Sequence, residues 1–542
     1  MVLHHLFIRL GGRPNIYSDE EVPPLQVRYS NSSVNNDDLI FTLISHRLPG
    51  HIPLEYNVKY PENICKTQPV YNWYCIPVYL EEGFDFIIKV TANDESKAML
   101  SHFIETDFPT FGDCRGCIRR PLLTTMALPS VVGILTLSYF VAKPFQFPNF
   151  SFLTASEALV KMHKSMLSRI ELFQKNPYLR PLTRHPFLSP RMLIGHRGSG
   201  NSSRHTNHRT PFAENTVLSF DMARKSGANW IEFDVQPTKD DAIVIFHDYF
   251  IQMSNGHNVP VCSLTRKQFI DRFDAKINLL KRISSSPDLK ENIEEEDNNS
   301  LNVPSQMPKK GRMRTSSFHK SISFNDFGEF AQVSEHLQSK ARHTLDETET
   351  KNRPFVLSDR ALELSQLFKH FTNTGFGFNI ELKYPVEREV KSGLGSYPAR
   401  NDFADMVLEN VFNHNVNNPI YFSTFDPELA VLLKIKQPFF PVLLLSECEG
   451  EFYDERRNST FASLQWAITN NLDGVVLHSD VLLKQEDRDA IIETAKSNGL
   501  FLVTFGSDNN IERTIMEQYE LGVDALIADN IRQLKITTSL GY

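Results

Sequence analysis

WIEFDVQPTKDDAIVIFHD, residues 230–248, holds two apolar runs separated by the short segment QPTKDD. Two parallel strands need a crossover connection of about a dozen residues or more, whereas a hairpin needs only a few. The gap is of hairpin length. We therefore predict that the second run turns back and lies beside the first. The pair then contributes one strand to a larger sheet, and the rest is an excursion that leaves the sheet and returns to it.

Similar apolar runs alternate with amphipathic helical patterns from Arg191 onward. This alternation is typical of a parallel sheet covered by helices. Nine runs read as strands, and eight remain once residues 230–248 count as one, which predicts an α/β fold of the (β/α)8 TIM-barrel class. The nine runs are residues 192–196, 230–235, 242–248, 378–383, 419–425, 439–446, 474–480, 500–506 and 525–529.

The rest of the chain divides around this barrel, which we assign to residues 191–542. Residues 1–145 show short alternating runs between Pro, Asn and Gly, which predict an all-β, sandwich-like domain, and residues 146–190 predict one helix and a linker. Residues 285–350 are polar and aperiodic, so we predict a disordered insertion. Its RMRTSSF segment suits either a phosphorylation site or a solvated loop.

Composition limits the possible partners and the compartment. A hydrophobic fraction of 41% with a net charge of -8 is not typical of a nucleic-acid-binding protein. The six cysteines are too few for a disulfide framework, and the N-terminus lacks a secretory apolar core, so we predict a cytoplasmic protein. Cys114 and Cys117 have no second pair to complete a zinc site, and we interpret them as a turn.

One uncharged stretch, residues 121–142, is long enough for a membrane span. It contains Pro, Gly, Ser and Thr, and Leu135, Leu137, Tyr139 and Val141 alternate as they would in a half-buried strand. We predict a strand here and no transmembrane segment.

Ionisable residues end the strand runs of the first half of the barrel, at the end where barrel enzymes carry their working groups. Side chains two apart on a strand share a face, and buried carboxylates need a compensating charge. Three carboxylates without cysteine suit Mg2+ or Ca2+, although a structural salt-bridge network is the alternative. The residues are His196, Arg197, Glu232, Asp234, His247, Asp248, Glu381 and Lys383.

A divalent cation with two histidines, an arginine and a lysine suits cleavage of a phosphate ester. Cations stabilise charge that develops on phosphorus, and two imidazoles can serve as general base and general acid. The chain has no G-x-x-x-x-G-K-[ST] loop, which argues against nucleotide-driven phosphoryl transfer. Hydrolysis is the predicted reaction class.

The succession GHRG, EN before a helix, IEFDVQPTKDDAIVIFHD, NIELK and GVDALIAD resembles the glycerophosphodiester phosphodiesterase family over residues 191–542. The resemblance implies a (β/α)8 barrel in which the substrate's own glycerol 2-hydroxyl attacks phosphorus. It also implies a role for each site residue: Glu232, Asp234 and Glu381 as ligands of one divalent metal, His196 and His247 as the acid/base pair, and Arg197 and Lys383 on the phosphate.

The β-rich segment that ends in GILTLSYFVAKPF is similar to the middle region of cytosolic glycerophosphocholine phosphodiesterases, which implies hydrolysis of glycerophosphocholine to glycerol 3-phosphate and choline. The starch-binding module that often begins those relatives is not visible in this sequence, so we do not carry over carbohydrate binding. Phe505-Gly506 replaces the Trp-Gly of those relatives, and Asn530 replaces the usual Arg, so the alcohol pocket differs in shape. A lysophospholipase D and a non-catalytic scaffold are the alternative functions.

The residues that follow GHRG have separate predicted roles. We predict that Asn215 is the N-cap of the first barrel helix. We interpret four further residues as solvated or head-group-contacting on a loop over the mouth: Arg204, His205, His208 and Arg209.

Overall fold

A computed structural model gives the architecture of the described part of the chain. The described residues are 3–10, 25–27, 40–45, 55–59, 73–79, 85–91, 99–104, 108, 114–145, 191–200, 212–252, 257–272, 319–320, 356–357, 360–372, 374–386, 389–414, 418–437, 439–449, 454–457, 459–529 and 531–534.

In the first part of the chain, the described residues form a single antiparallel sheet of nine strands. They are β1 (Leu3–Leu10), β2 (Leu25–Val27), β3 (Ile40–Ser45), β4 (Glu55–Lys59), β5 (Trp73–Tyr79), β6 (Asp85–Thr91), β7 (Met99–Ile104), β8 (Arg115–Thr124) and β9 (Val131–Ala142). Their order is β4-β3-β6-β7-β8-β9-β1-β5, with β2 paired to β9. The predicted all-β character of this region is confirmed.

The long β8–β9 hairpin contains the uncharged stretch 121–142, so the prediction of a strand is confirmed there. Within the described residues, no helix has the length and apolar character that crossing a membrane requires. Cys117 lies in β8 and Cys114 directly precedes that strand, so the predicted turn is wrong. The hairpin register continues through this segment because Arg115 already pairs with Phe140.

Fourteen further strands follow among the described residues. They are β10 (Met192–Gly195), β11 (Trp230–Pro237), β12 (Ile243–Ile245), β13 (Phe250–Gln252), β14 (Asn258–Pro260), β15 (His319–Lys320), β16 (Val356–Leu357), β17 (Leu362–Glu363), β18 (Gly377–Leu382), β19 (Ile420–Thr424), β20 (Val442–Ser446), β21 (Gly474–His478), β22 (Phe501–Phe505) and β23 (Ala525–Ala528). Eight of them, β10, β11 and β18 to β23, are parallel neighbours, and β10 pairs with both β11 and β23. The barrel is closed, as predicted.

The helices lie between successive barrel strands. They are α1 (Val217–Lys225), α2 (Leu364–Phe371), α3 (Arg400–Asn413), α4 (Pro427–Lys436), α5 (Thr460–Thr469), α6 (Ser479–Leu482), α7 (Arg488–Ser497) and α8 (Glu512–Leu521). Side-chain caps fix several starts. Before α4, for example, Asp426 accepts a hydrogen bond from Leu429 N, and Pro427 occupies the first turn, where its missing N–H costs nothing.

Residues 230–248 form the predicted excursion. The end of β11 pairs with β12 in antiparallel register, Val235 opposite Ile245, and β12 continues to β17 instead of joining the barrel. Apart from β15, the predicted insertion at 285–350 lies outside the described residues, and so does the predicted helix and linker at 146–190.

The N-terminal sheet packs on the barrel helices through the last residues of β9. Asn401 at the start of α3 donates to Val141 O and accepts from Lys143 N, at 3.0 and 2.9 Å. Arg115 Nη2 lies 3.4 Å from Glu428 Oε1 in α4. We call the Val141–Lys143 end of the β8–β9 hairpin its root.

Candidate active site

Three acidic residues converge where β11 and β18 end. The parallel register places Asp234 directly beside Glu381, and Glu232 lies two residues earlier on the same face of β11. One carboxylate oxygen from each lies within 4.8 Å of the other two. All three residues are buried. The structure therefore brings together the three predicted metal ligands.

The electrostatics of this cluster fit a cation. Burial and the neighbouring Asp234 and Glu381 raise the pKa of Glu232 well above its ordinary value. Glu232 Oε1 is buried and has no hydrogen-bond partner. Burial also opposes ionisation of Asp234, but His247, Lys383 and Arg197 lower its pKa below the usual range. An orphaned carboxylate oxygen among hard oxygen donors is the environment that Mg2+ or Ca2+ prefers.

Arg197 and Lys383 border the acids. Lys383 Nζ lies 3.3 Å from Glu381 Oε1 and 3.7 Å from Asp234 Oδ1, and Arg197 Nε lies 3.5 Å from Asp234 Oδ2. The guanidinium also donates to Glu214 Oε1 at 2.8 Å. Burial disfavours the charged form of Lys383, but the acids outweigh it and raise its pKa, so the ammonium stays charged.

The GHRG segment turns sharply at the end of β10. Arg197 and Gly198 have φ values of 48° and 94°. A Cβ at position 198 would lie 2.6 Å from Ser219 Oγ, so only glycine fits there. The turn directs the Arg197 N–H to Glu232 Oε2 at 2.8 Å. The local backbone thus holds one of the acids.

Asn215 has a different role from the predicted one. The N-cap of α1 is Thr216, whose side chain accepts from Ser219 N. Asn215 instead adopts a φ of 58° and donates from Nδ2 to Asp234 Oδ2 at 3.0 Å. The prediction was wrong because both residues suit an N-cap, and the contact with Asp234, 19 positions away in the sequence, separates their roles.

His196 is held by a residue from the last strand. Its Nδ1 lies 2.8 Å from Asp529 Oδ1, and its Nε2 lies 4.0 Å from Glu232 Oε2. Burial would lower the pKa of His196, but Asp529 outweighs this effect and raises the pKa to about 9. Asp529 fixes the ring so that Nε2 faces the acids.

His247 approaches the same site from the excursion. Its Nδ1 lies 2.7 Å from Asp248 Oδ1, and its side chain is 30% exposed. Gln236 Nε2 faces the carbonyl oxygens of Phe246, His247 and Asp248 at 2.7, 3.2 and 3.0 Å. The excursion therefore positions a histidine at the mouth even though its strand lies outside the barrel.

Asp529 was not among the predicted site residues, and Asp248 had no predicted role. Both carry the signal used for the other residues, because each is an acid at the end of an apolar run. That criterion was applied only to the first half of the barrel. The four loop residues Arg204, His205, His208 and Arg209 lie outside the described residues.

Different residues end the four strands β19 to β22 on the other side of the mouth. The Phe425 and Phe505 rings lie 6.0 Å apart, and His478 packs edge-on against Phe505 at 4.9 Å. Glu447 directly follows β20, and burial raises its pKa even though the charges of His478 and Arg457 lower it. We call Phe425, Glu447, His478 and Phe505 the aromatic half, and we call the residues at the ends of β10, β11, β18 and β23, together with His247, the charged half.

Known proteins resemble this chain. A sequence model of the glycerophosphoryl diester phosphodiesterase family matches residues 196–533. Glycerophosphocholine phosphodiesterase GDE1 of Candida albicans is 31% identical over 361 residues, 62% of this chain and 28% of that protein. GDE1 of Eremothecium gossypii is 30% identical over 349 residues, 62% of this chain and 25% of that protein. The chain thus matches about a quarter of the length of these relatives.

Among solved structures, a glycerophosphodiester phosphodiesterase from Thermotoga maritima aligns with a TM-score of 0.36 and 16% identity, covering 65% of this chain and 98% of that one.

Proposed function

The chain belongs to the glycerophosphoryl diester phosphodiesterase family, and we propose that it hydrolyses glycerophosphodiesters, with glycerophosphocholine as the preferred substrate. The observation that carries this proposal is the buried cluster of Glu232, Asp234 and Glu381. Two cationic side chains border the cluster, and two histidines face the same mouth. This combination suits a phosphodiester, whose negative charge grows as the bond to phosphorus breaks.

Glu232, Asp234 and Glu381 would hold one divalent cation, Mg2+ or Ca2+. When bound, the cation would supply positive charge against the phosphate oxygens. The orphaned oxygen of Glu232 supports this assignment, and so does its raised pKa, because burial and the neighbouring acids leave a carboxylate that a cation would stabilise.

The two histidines serve as the acid/base pair. One accepts the proton of the attacking glycerol 2-hydroxyl, and the other donates a proton to the alcohol oxygen that leaves. Asp529 and Asp248 hold the two Nδ1 atoms, which leaves each Nε2 for the substrate. Arg197 and Lys383 bind the phosphate oxygens and neutralise their charge.

The aromatic half receives the alcohol head group. Aromatic faces and a nearby carboxylate favour a quaternary ammonium over a neutral alcohol. The Arg457 guanidinium already lies over the Phe425 ring at 5.2 Å, so the groups offered to a cation are Phe505 and Glu447, both beside His478 at the rim of the same mouth. They support choline as the head group.

The domain division at residues 145 and 190 remains a prediction, and so does the cytoplasmic location. Within the part of the chain that the structure describes, Cys117, Cys262 and Cys448 form no disulfide, which supports a reducing compartment.

The test is to incubate the purified chain with glycerophosphocholine in Mg2+, in Ca2+ and in a chelator, and to measure glycerol 3-phosphate and choline. We expect cation-dependent release of both products in equal amounts. Release that a chelator leaves unchanged would contradict the metal assignment. Turnover of lysophosphatidylcholine but not of glycerophosphocholine would identify a lysophospholipase D, and no turnover of either would favour a scaffold.

A further inference from the structure

The tip of the β8–β9 hairpin exposes large apolar side chains that the proposed hydrolysis does not use. The exposed fractions are 68% for Met126, 88% for Leu128, 65% for Val131 and 39% for Ile134. We propose that this tip docks the protein on the surface of an anionic lipid bilayer.

The tip is ordered by its own hydrogen bonds. Thr124 N donates to Ser130 O, and Ser130 N donates to Thr124 Oγ1, both at 3.0 Å. These bonds close the turn and leave Met126 and Leu128 pointing outward. Because the turn is already closed, its backbone loses little conformational freedom when the tip enters a lipid surface.

The tip also lies far from the root of the hairpin. The root is fixed to α3 by Asn401, whereas the turn lies at the other end of the 12-residue strand β9. At about 3.3 Å per residue, the strand separates Val131 from Ala142 by about 35 Å. The hairpin can therefore reach a surface without displacing the contacts that attach it to the barrel.

Charge points to an anionic surface. Residues 114–143 contain no Asp or Glu, in a chain whose net charge is -8. Arg119 is exposed, and Arg120 pairs across the hairpin with Leu135. These two arginines precede Thr124 by four and five residues, or about 13 to 17 Å along the strand. Positive charge at that height lies close enough to an anionic surface to be attracted to it, since such attraction extends over about a Debye length, roughly 8 to 10 Å.

The composition of the hairpin favours a bilayer over a protein partner. A stable protein interface buries about 800 Å² on each side, usually on a broad surface with charges of both signs at its rim. Within residues 114–143, every charged side chain is basic. Insertion into lipid needs only the apolar side chains and the attraction of basic residues to anionic head groups.

The experiment is vesicle flotation of the full chain with phosphatidylcholine alone and with phosphatidylcholine plus phosphatidylserine. We expect binding to the mixed vesicles that weakens with salt. Leu128→Asp should weaken it about ten-fold or more, since it places a charge in the apolar layer. Arg119→Gln should weaken binding about five-fold on the mixed vesicles and leave binding to neutral vesicles unchanged.

Ile511→Asp is the matched control, because Ile511 is 47% exposed on the barrel and lies outside the hairpin. It should bind as the wild type does. All variants should keep the activity and thermal stability of the wild type, since none of the replaced side chains is buried. These two readouts separate loss of docking from loss of hydrolysis or of folding.

Binding that Leu128→Asp leaves unchanged would overturn the proposal, and so would equal binding to neutral and anionic vesicles. Dimerisation at rising protein concentration that Leu128→Asp abolishes, without vesicle binding, would assign the tip to a second copy of the chain and would also overturn it.

Discussion

On one side of the barrel mouth, β10, β11, β18 and β23 end in ionisable side chains packed against one another; on the other side, β19 to β22 end mainly in aromatic rings. In the charged half, carboxylates such as Glu232 and Asp234 are almost fully buried. In the aromatic half, Phe425 and Phe505 are only partly buried, and a single acid, Glu447, directly follows a strand.

Under the proposed function, this contrast assigns two tasks to two sides of one scaffold. Buried charges of opposite sign are costly to assemble, and they are useful where charge develops during a reaction. Aromatic rings with one acid fit the non-reacting part of a substrate, where selectivity is set by shape and by one charge. Changes in the charged half should therefore lower kcat, whereas changes in the aromatic half should mainly raise KM.

The largest effect is expected from Glu232→Gln. It keeps the shape but removes one of three charges that would hold the cation. We expect kcat/KM for glycerophosphocholine to fall by about 10³-fold or more, measured as choline release at saturating Mg2+ or Ca2+. Glu493→Gln, an exposed change of the same type on α7, is the control. Activity retained in Glu232→Gln would mean that the charged half is structural.

Asp529→Asn should give the next largest loss. The asparagine side chain is nearly isosteric with aspartate, but its end can either donate or accept a hydrogen bond. The His196 ring can then pair with it in more than one orientation and is no longer fixed. We expect kcat to fall about 10² to 10³-fold with little change in KM or in cation affinity. Exposed Asp487→Asn is the control. An equal rise in KM would show that Asp529 contributes to substrate binding instead.

Glu447→Gln tests the aromatic half. Removing the charge beside the rings should raise KM for glycerophosphocholine about five-fold, corresponding to about 1 kcal/mol of lost cation attraction, and leave kcat nearly unchanged. KM for glycerophosphoglycerol, which has a neutral head group, should not move. The control is Glu449→Gln, an exposed acid two residues later. A fall in kcat with both substrates would remove the distinction between the halves.

The smallest effect concerns stability against pH in the cation-free protein. The folded state raises the pKa of Glu232, so the folded protein binds this proton more tightly than the unfolded chain does. The resulting stability is present at low pH and is lost as pH rises through the raised pKa. We expect unfolding in chelator to become easier by about 2 kcal/mol from about pH 5 to about pH 8.

In Glu232→Gln, the free energy of unfolding should depend less on pH. Added Ca2+ should remove most of the pH dependence in the wild type, because a cation favours the ionised carboxylate. A wild-type slope that neither change affects would mean that other groups govern the dependence.

Much of the charged half could be predicted from the sequence, because strand geometry is regular. Glu232 and Asp234 are two apart and must share a face, and closure of a parallel barrel brings strand ends together. The excursion was predictable from the length of QPTKDD alone.

Residues whose role depends on a distant partner were harder to predict. Asn215 looks like a helix cap, and only the folded chain places its amide on Asp234. The pairing of His196 with Asp529 joins two strands that are distant in sequence and adjacent only because the barrel closes. The aromatic half could not be predicted in the same way. In the sequence, Phe425 and Phe505 look like ordinary core residues, because neither side chain carries a polar group.

The contact between His196 and Asp529 also bears on the order in which the proposed site assembles during synthesis. The two residues are 333 positions apart, and Asp529 directly follows β23, which leaves the ribosome after the other seven barrel strands. Such non-local pairing forms slowly and late. A nascent chain would already carry His196 and all three acids of the cluster, yet its histidine would have no fixed orientation until β23 closes the barrel. Catalytic competence would therefore coincide with completion of the fold.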